Sequence, residues 1–189
     1  MNELFFETIK CDDFEVFHLL YHKKRIANTI GFNFNLEEYI YPPNERLLKC
    51  KLIYDTNNIL EVQYIPYSKK EINSFKIIYD DDIVYEKKAI NRKIINNLYT
   101  HKESCDEIII VKNGFITDTS IANIAIYYKD KWLTPKIPLL YGTTRMRYLE
   151  NEILFEENIT VDMMKSSTKI GLLNAMIDFD IIENFTIQG

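Results

Sequence analysis

Hydrophobic periodicity switches repeatedly between strand and helix along these 189 residues, and the order of the changes restricts the fold more than any other property. Leu4 to Lys10 and Phe14 to Phe17 predict short strands joined at the polar turn Cys11-Asp12-Asp13. Leu19, His22, Ile26 and Ile30 then fall at helical spacing, with Gly31 as a natural stop. After the Pro42-Pro43 break, Arg46 to Tyr54, Ile59 to Ile65 and Ser74 to Tyr79 predict an antiparallel meander. Ile90, Ile94 and Leu98 mark a middle helix ending near His101. Beyond it the pattern reverts to strands at Glu107 to Val111, Phe115 to Thr117, Ile124 to Tyr128 and Trp132 to Thr134, with Asn113-Gly114 as a hairpin turn. Met146, Leu149 and Ile153 mark a further helix, and Ile159 to Val161 a further strand. Strands, a middle helix, then strands and helices again describe an α+β protein. We expect two lobes, a small N-terminal one over 1–82 and a larger one over 83–189.

Charge narrows the partners. Lys and Arg total 23 against 28 Asp and Glu, a formal net charge of -5, so nonspecific binding to nucleic acid or an anionic membrane has no electrostatic support. No apolar run approaches the roughly 20 residues of a membrane span, and Met1 to Phe6 lacks the basic start and long apolar run of a secretory leader. Cys11, Cys50 and Cys105 stand too far apart for a zinc or redox motif, so reduced thiols in a cytoplasmic protein are expected, with no metal. Five Gly, five Pro and no low-complexity stretch predict an ordered chain.

The densest run of chemical residues lies between Asp106 and Arg145. It reads Asp106-Glu107-Ile108-Ile109-Ile110, Asn113-Gly114-Phe115-Ile116-Thr117-Asp118, Ser120-Ile121-Ala122-Asn123-Ile124, Thr134-Pro135, and Leu139-Leu140-Tyr141-Gly142-Thr143-Thr144-Arg145. In order and spacing this resembles the signature of the class IV (fold-type IV) aminotransferases and their lyase relatives. Upstream, Lys88-Ala89-Ile90-Asn91-Arg92 resembles the family's lysine element, Phe6-Glu7-Thr8-Ile9-Lys10 its early "F-E-T" strand, and His22-Lys23-Lys24-Arg25-Ile26 its "H-x-x-R-L" element. Downstream, Asn174-Ala175-Met176 is similar to its late "N-A-L" turn.

The resemblance implies a two-lobed fold of the D-amino-acid aminotransferase type, with a shortened small lobe because the chain starts almost at Phe6-Glu7. It also implies pyridoxal 5'-phosphate as cofactor, a small amino substrate and a homodimer. Lys88 would hold the cofactor covalently and shuttle protons, since only a neutral amine adds to a carbonyl and burial or neighbouring cations favour that form. Its neighbour Lys87 is the alternative, and a solvated helix-start lysine is the plain reading of both. Asp118 takes the place of the family's Glu beside the pyridine nitrogen, one methylene shorter, or else is a polar turn residue. Gly142, Thr143 and Thr144 would cup the phosphate at a helix N-terminus, a role compatible with helix capping. Arg25 would add charge to the same phosphate, or else be a solvated arginine, and Asn123 would lie near the ring or the phosphate. Lys10 and Arg147 are candidates for the substrate carboxylate, and His22 is expected to be an interior or capping histidine.

Three chemistries share such a site, and the resemblance favours the lyase that converts 4-amino-4-deoxychorismate into 4-aminobenzoate and pyruvate for folate synthesis. Branched-chain or D-amino-acid transamination is the alternative. A cofactor-fold relative without activity is the third reading, prompted by the shortened small lobe and by Asp118.

Overall fold

The structure of the protein, a computed structural model, describes residues 3–189, so the part of the leader reading that rests on Met1 and Asn2 lies outside the described residues. The chain divides into two compact units, Met1–Lys69 with Lys87–Asn91, and Lys70–Glu86 with Arg92–Gly189. A single boundary after residue 82 was expected. Two pairings place it differently: Ser74–Tyr79 joins the sheet of the second unit, and the segment around Ala89 returns to the sheet of the first.

The first unit is built on β1 (Phe5–Asp12), β2 (Glu15–Val16), β3 (Leu48–Tyr54) and β4 (Ile59–Pro66), an antiparallel sheet in the order β2-β1-β3-β4. Side chains alternate across a strand, and β1 alternates accordingly: Phe5, Glu7, Ile9 and Cys11 are buried while Phe6, Thr8 and Lys10 are half-buried on the opposite face. The buried face packs with α1 (Leu19–Ile30), whose inward residues are His22, Arg25 and Ile26. Gly31 closes this helix in the left-handed region at φ 75°, its N–H donating to the Ala27 carbonyl at 2.7 Å, a geometry that glycine adopts without strain. Residues 87–91 come back along the free edge of β1. There Phe6 N–H donates to Lys88 O at 3.0 Å and Ile90 N–H to Leu4 O at 2.9 Å.

The second unit holds a nine-stranded sheet. In chain order its elements are β5 (Ser74–Tyr79), α2 (Lys93–Tyr99), β6 (Glu107–Lys112), β7 (Phe115–Thr119), β8 (Asn123–Tyr128) and β9 (Lys131–Pro135). They continue with α3 (Thr143–Glu150), β10 (Leu154–Glu157), α4 (Val161–Lys165), β11 (Lys169–Asn174), β12 (Asp178–Ile182) and β13 (Thr186–Gln188). The strands run β10-β9-β8-β7-β6-β5-β13, with β11 pairing both β8 and β12. β6 pairs in parallel with β5, across a crossover that carries α2, and antiparallel with β7. Its Ile108, Ile109, Ile110 and Val111 are all buried, the continuous apolar run of a strand covered on both faces. Asn113 and Gly114 both have positive φ, at 51° and 81°, which matches the turn type that their pairing predicts between β6 and β7.

Three expectations are corrected here. Ile159 to Val161 is no strand: Thr160 caps α4 by accepting the Met163 N–H at 3.2 Å, and Val161 is already helical. The two flanking helices are shorter than expected, so Ile90 and Ile153 lie outside them and are exposed. Strands β10 to β13 were not anticipated from the sequence.

Candidate active site

Within the second unit the motif residues converge on one buried carboxylate. β7 carries Asp118 inward and β8 begins at Asn123, its cross-strand partner. Asn123 Nδ2 donates to Asp118 Oδ1 at 2.6 Å and to the Leu140 carbonyl at 2.7 Å, while the Leu140 N–H donates to Asp118 Oδ2 at 2.9 Å. Burial pushes the Asp118 carboxyl up to about 7, against the opposing pull of the Leu140 and Asn123 hydrogen bonds and the Arg145 charge. A methyl group at Gly142 would sit 1.9 Å from Asn123 Oδ1. Glycine at this place therefore lets the amide lie flat against the start of α3. Thr143 and Thr144 follow in the first turn of that helix, both buried. Helix α3 thus directs free N–H groups and its positive end outward from Gly142.

The turn between Asp118 and Asn123 is held on both sides of one residue, Ser120. Ser120 N–H donates to buried Glu107 Oε1 at 3.2 Å, and the Ser120 carbonyl accepts from the Arg92 guanidinium. Thr119 Oγ1 accepts the Ala122 N–H at 3.0 Å, closing the turn from within. Glu107 and Arg92 were visible only as motif letters, and their clamp on Ser120 needs the fold to be seen. Arg145, the last residue of the motif, is buried and donates to the Pro135 carbonyl and to Glu156 Oε1, each at 2.7 Å, so its work is to tie α3 to the strands.

The first unit carries the other two candidates, Arg25 and Lys88. Arg25 is not solvated: it is buried and forked onto Glu7, Nε donating to Oε1 at 2.8 Å and Nη2 to Oε2. His22 Nδ1 lies 2.6 Å from the same Glu7 Oε2. Burial would raise the Glu7 carboxyl, but the Arg25 charge and the hydrogen bonds from His22 and Arg25 outweigh it and hold it at about 2. Burial also lowers the His22 value, with the Arg25 and Lys88 charges acting the same way against the hydrogen bond to Glu7. His22 is therefore a neutral ring that donates from Nδ1. Its Nε2 carries a lone pair and is buried with no hydrogen-bond partner among the described residues. The sequence did hold a signal for Glu7: an acid on the inward phase of an alternating strand needs a buried cation.

Lys88 is half-buried, its Nζ 4.7 Å from the centre of the Phe6 ring, whereas Lys87 is exposed. Of the two candidates for the substrate carboxylate, Arg147 is paired with Asp178, and Lys10 stands 4.0 Å from half-buried Asp12.

These residues suit pyridoxal phosphate. Asp118 has four acceptor positions, and its hydrogen bonds from Asn123, Leu140 and Leu139 leave capacity for a protonated ring nitrogen, a cation that would favour the ionised carboxylate that burial opposes. The Gly142 turn offers phosphate donors.

A family model described as amino-transferase class IV matches residues 58–182. The chain belongs to the class IV aminotransferase family, and is thus a pyridoxal-phosphate-dependent enzyme of the lyase or aminotransferase kind. It is 31% identical over 182 residues to an uncharacterised protein of Haemophilus influenzae, covering 90% of this chain and 96% of that one. A crystal structure from Haemophilus somnus, provisionally named a 4-amino-4-deoxychorismate lyase, is similar with a TM-score of 0.85 and 30% identity, covering 93% of this chain and 97% of that chain. The PLP-bound form of a hypothetical aminotransferase from Mycobacterium tuberculosis shares the fold with a TM-score of 0.80 at 15% identity, covering 99% of this chain and 82% of that chain.

Proposed function

We propose that this protein is a 4-amino-4-deoxychorismate lyase, forming 4-aminobenzoate and pyruvate, with Lys88 as the residue that holds the cofactor. The supporting observation is the nearly end-to-end similarity, with 93% of this chain and 97% of the other, to the Haemophilus somnus protein provisionally named for that activity.

Pyridoxal phosphate, when bound, supplies an electron-withdrawing ring conjugated to the substrate amine. The chain's own residues do the rest. Asp118 would keep a proton on the ring nitrogen, and Asn123 and the Leu140 amide fix the carboxylate for that task. Gly142, Thr143 and Thr144 would offer donors to the phosphate, and Arg25, its fork fixed by Glu7 and His22, would add charge to it. Lys88 Nζ would be the base that takes the proton from the carbon bearing the substrate amine. The carbon–oxygen bond to the enolpyruvyl group then breaks, its electrons leave with the oxygen, and protonation of that fragment gives pyruvate as the remaining ring becomes aromatic. We further propose that the protein works as a homodimer in the cytoplasm, within folate synthesis.

Supplying 4-amino-4-deoxychorismate to the cofactor-loaded protein and measuring 4-aminobenzoate tests the reading. Accumulation of the pyridoxamine form from a branched-chain or D-amino acid, without 4-aminobenzoate, would replace it with transamination.

A further inference from the structure

The face of the first unit's sheet that carries Phe6 is the opposite of its buried face, and the strand register fixes its composition. Across β1, β3 and β4 the rows on this face are Phe6–Ile53–Glu61, Thr8–Lys51–Gln63 and Lys10–Lys49–Ile65. Two lysines, Lys10 and Lys49, are therefore directly opposite one another on neighbouring strands, and Lys51 stands next along. Like charges directly opposite in a sheet are destabilising. None of the three is fully exposed, although a lysine at a free surface can swing its ammonium into water. The nearest carboxylates stand at the margins: Asp12 is 4.0 Å from Lys10, and exposed Glu61 is bonded to Gln63.

Lys88 belongs to the same face. Ala89 pairs with Phe5 and packs into the buried core, so by alternation its neighbour Lys88 projects on the other side, with Phe6. The ammoniums of Lys88 and Lys51 approach the same Phe6 ring, at 4.7 and 5.8 Å from its centre. An aromatic floor with an amine-handling lysine at one edge and a cluster of cations at the other suits a compact ring that bears an amine and carboxylates. A branched aliphatic side chain would gain nothing from such cations and would strip water from them.

We propose that Lys51, Lys49 and Lys10 form a carboxylate-binding face that selects a cyclic dicarboxylic amine over a branched-chain amino acid, with Lys51 nearest the reacting amine. The assignment of substrate class rests on the lyase reading above; the anion site itself does not.

Chorismate carries the two carboxylates but no amine, so it can occupy such a face without reacting at Lys88. Its dissociation constant for the cofactor-loaded protein would be measured by calorimetry, for the wild type and for Lys51→Gln, Lys49→Gln and the double variant. Each single change is expected to weaken binding about tenfold and the double variant about a hundredfold, the loss expected for a charge-assisted contact. Lys51→Arg should retain most of the affinity, and Lys169→Gln, a surface lysine paired with Glu183, all of it. In turnover, KM for 4-amino-4-deoxychorismate should rise in the Gln variants while kcat changes little. Unaltered chorismate affinity in a double variant that melts at the wild-type temperature would overturn the proposal, as would no chorismate binding by the wild type. Loss of binding in the variants without any 4-aminobenzoate from the wild type would uphold the anion face and remove the lyase reading. Formation of 4-aminobenzoate with unaltered KM in every variant would do the reverse.

Discussion

Replacing Glu7 by Gln removes the one negative charge between two buried partners, Arg25 and His22, while keeping the volume of the side chain. The carboxyl titrates at about 2 in the fold against an ordinary 4.5. At about 1.4 kcal/mol per tenfold, that difference makes the ionised form worth about 3 kcal/mol to the folded state. Removing one partner of a buried ion pair typically costs about 3–5 kcal/mol, so the two estimates agree. Because the folded value is depressed, this stability is complete above pH 4.5 and is lost as pH falls toward 2. His22, lowered as well, adds a loss of the same sign when it is forced to protonate. Urea unfolding of the apo protein, followed by far-UV circular dichroism at pH 7, should show Glu7→Gln about 3 kcal/mol less stable. The wild type should lose its advantage over the variant between pH 5 and pH 2. The single tryptophan, Trp132, lies in β9 of the second unit, so its fluorescence midpoint moves only if both units unfold together. A variant within about 1 kcal/mol of wild type at pH 7 would refute the view that this ion cluster anchors α1 to β1.

Lys88→Ala should abolish the visible absorption of the loaded protein and the turnover, while Lys87→Ala keeps both; spectra after dialysis with pyridoxal phosphate test this. Gly142→Ala drives a methyl group to 1.9 Å from Asn123 Oδ1, so Asn123 must swing away from Asp118. We expect a stability loss of about 1–3 kcal/mol by thermal melting, together with weaker cofactor binding by fluorescence titration. Arg92→Ala leaves the Ser120 carbonyl without its cation and should cost about 1–3 kcal/mol in a urea melt, with slower hydrogen exchange at Ser120 in the wild type than in the variant.

The central strands were legible because β-branched apolar runs and turn chemistry agree there: β3 through β9 fall where the sequence puts them, to within a few residues, although β5 pairs in parallel with β6 and does not complete the expected antiparallel meander with β3 and β4. The late strands were hidden for two physical reasons. β11 runs Lys169–Asn174 as a buried strand, Ile170, Gly171, Leu172 and Leu173 all covered, so it has no alternation to read. Gly171 looks like a breaker, yet it is there because the Phe179 ring occupies the space of a side chain, 2.1 Å from where its Cβ would be. In the site, the motif residues Asp118, Asn123 and Gly142 could be named from the resemblance to the family signature. That Asn123 bridges Asp118 to the Leu140 carbonyl could not, because that contact closes 17 residues of chain.

The small unit draws on two separate stretches of sequence, and its edge is finished by residues that come after an excursion into the other unit. A ribosome that has released residue 69 has therefore made a sheet whose first strand is paired with β3 on one edge but still lacks its partner on the other edge, at Leu4 and Phe6. The lysine proposed above to hold the cofactor arrives as the last stitch in that seam, so a fragment cut before residue 87 would forfeit that amine and expose a sticky margin at once.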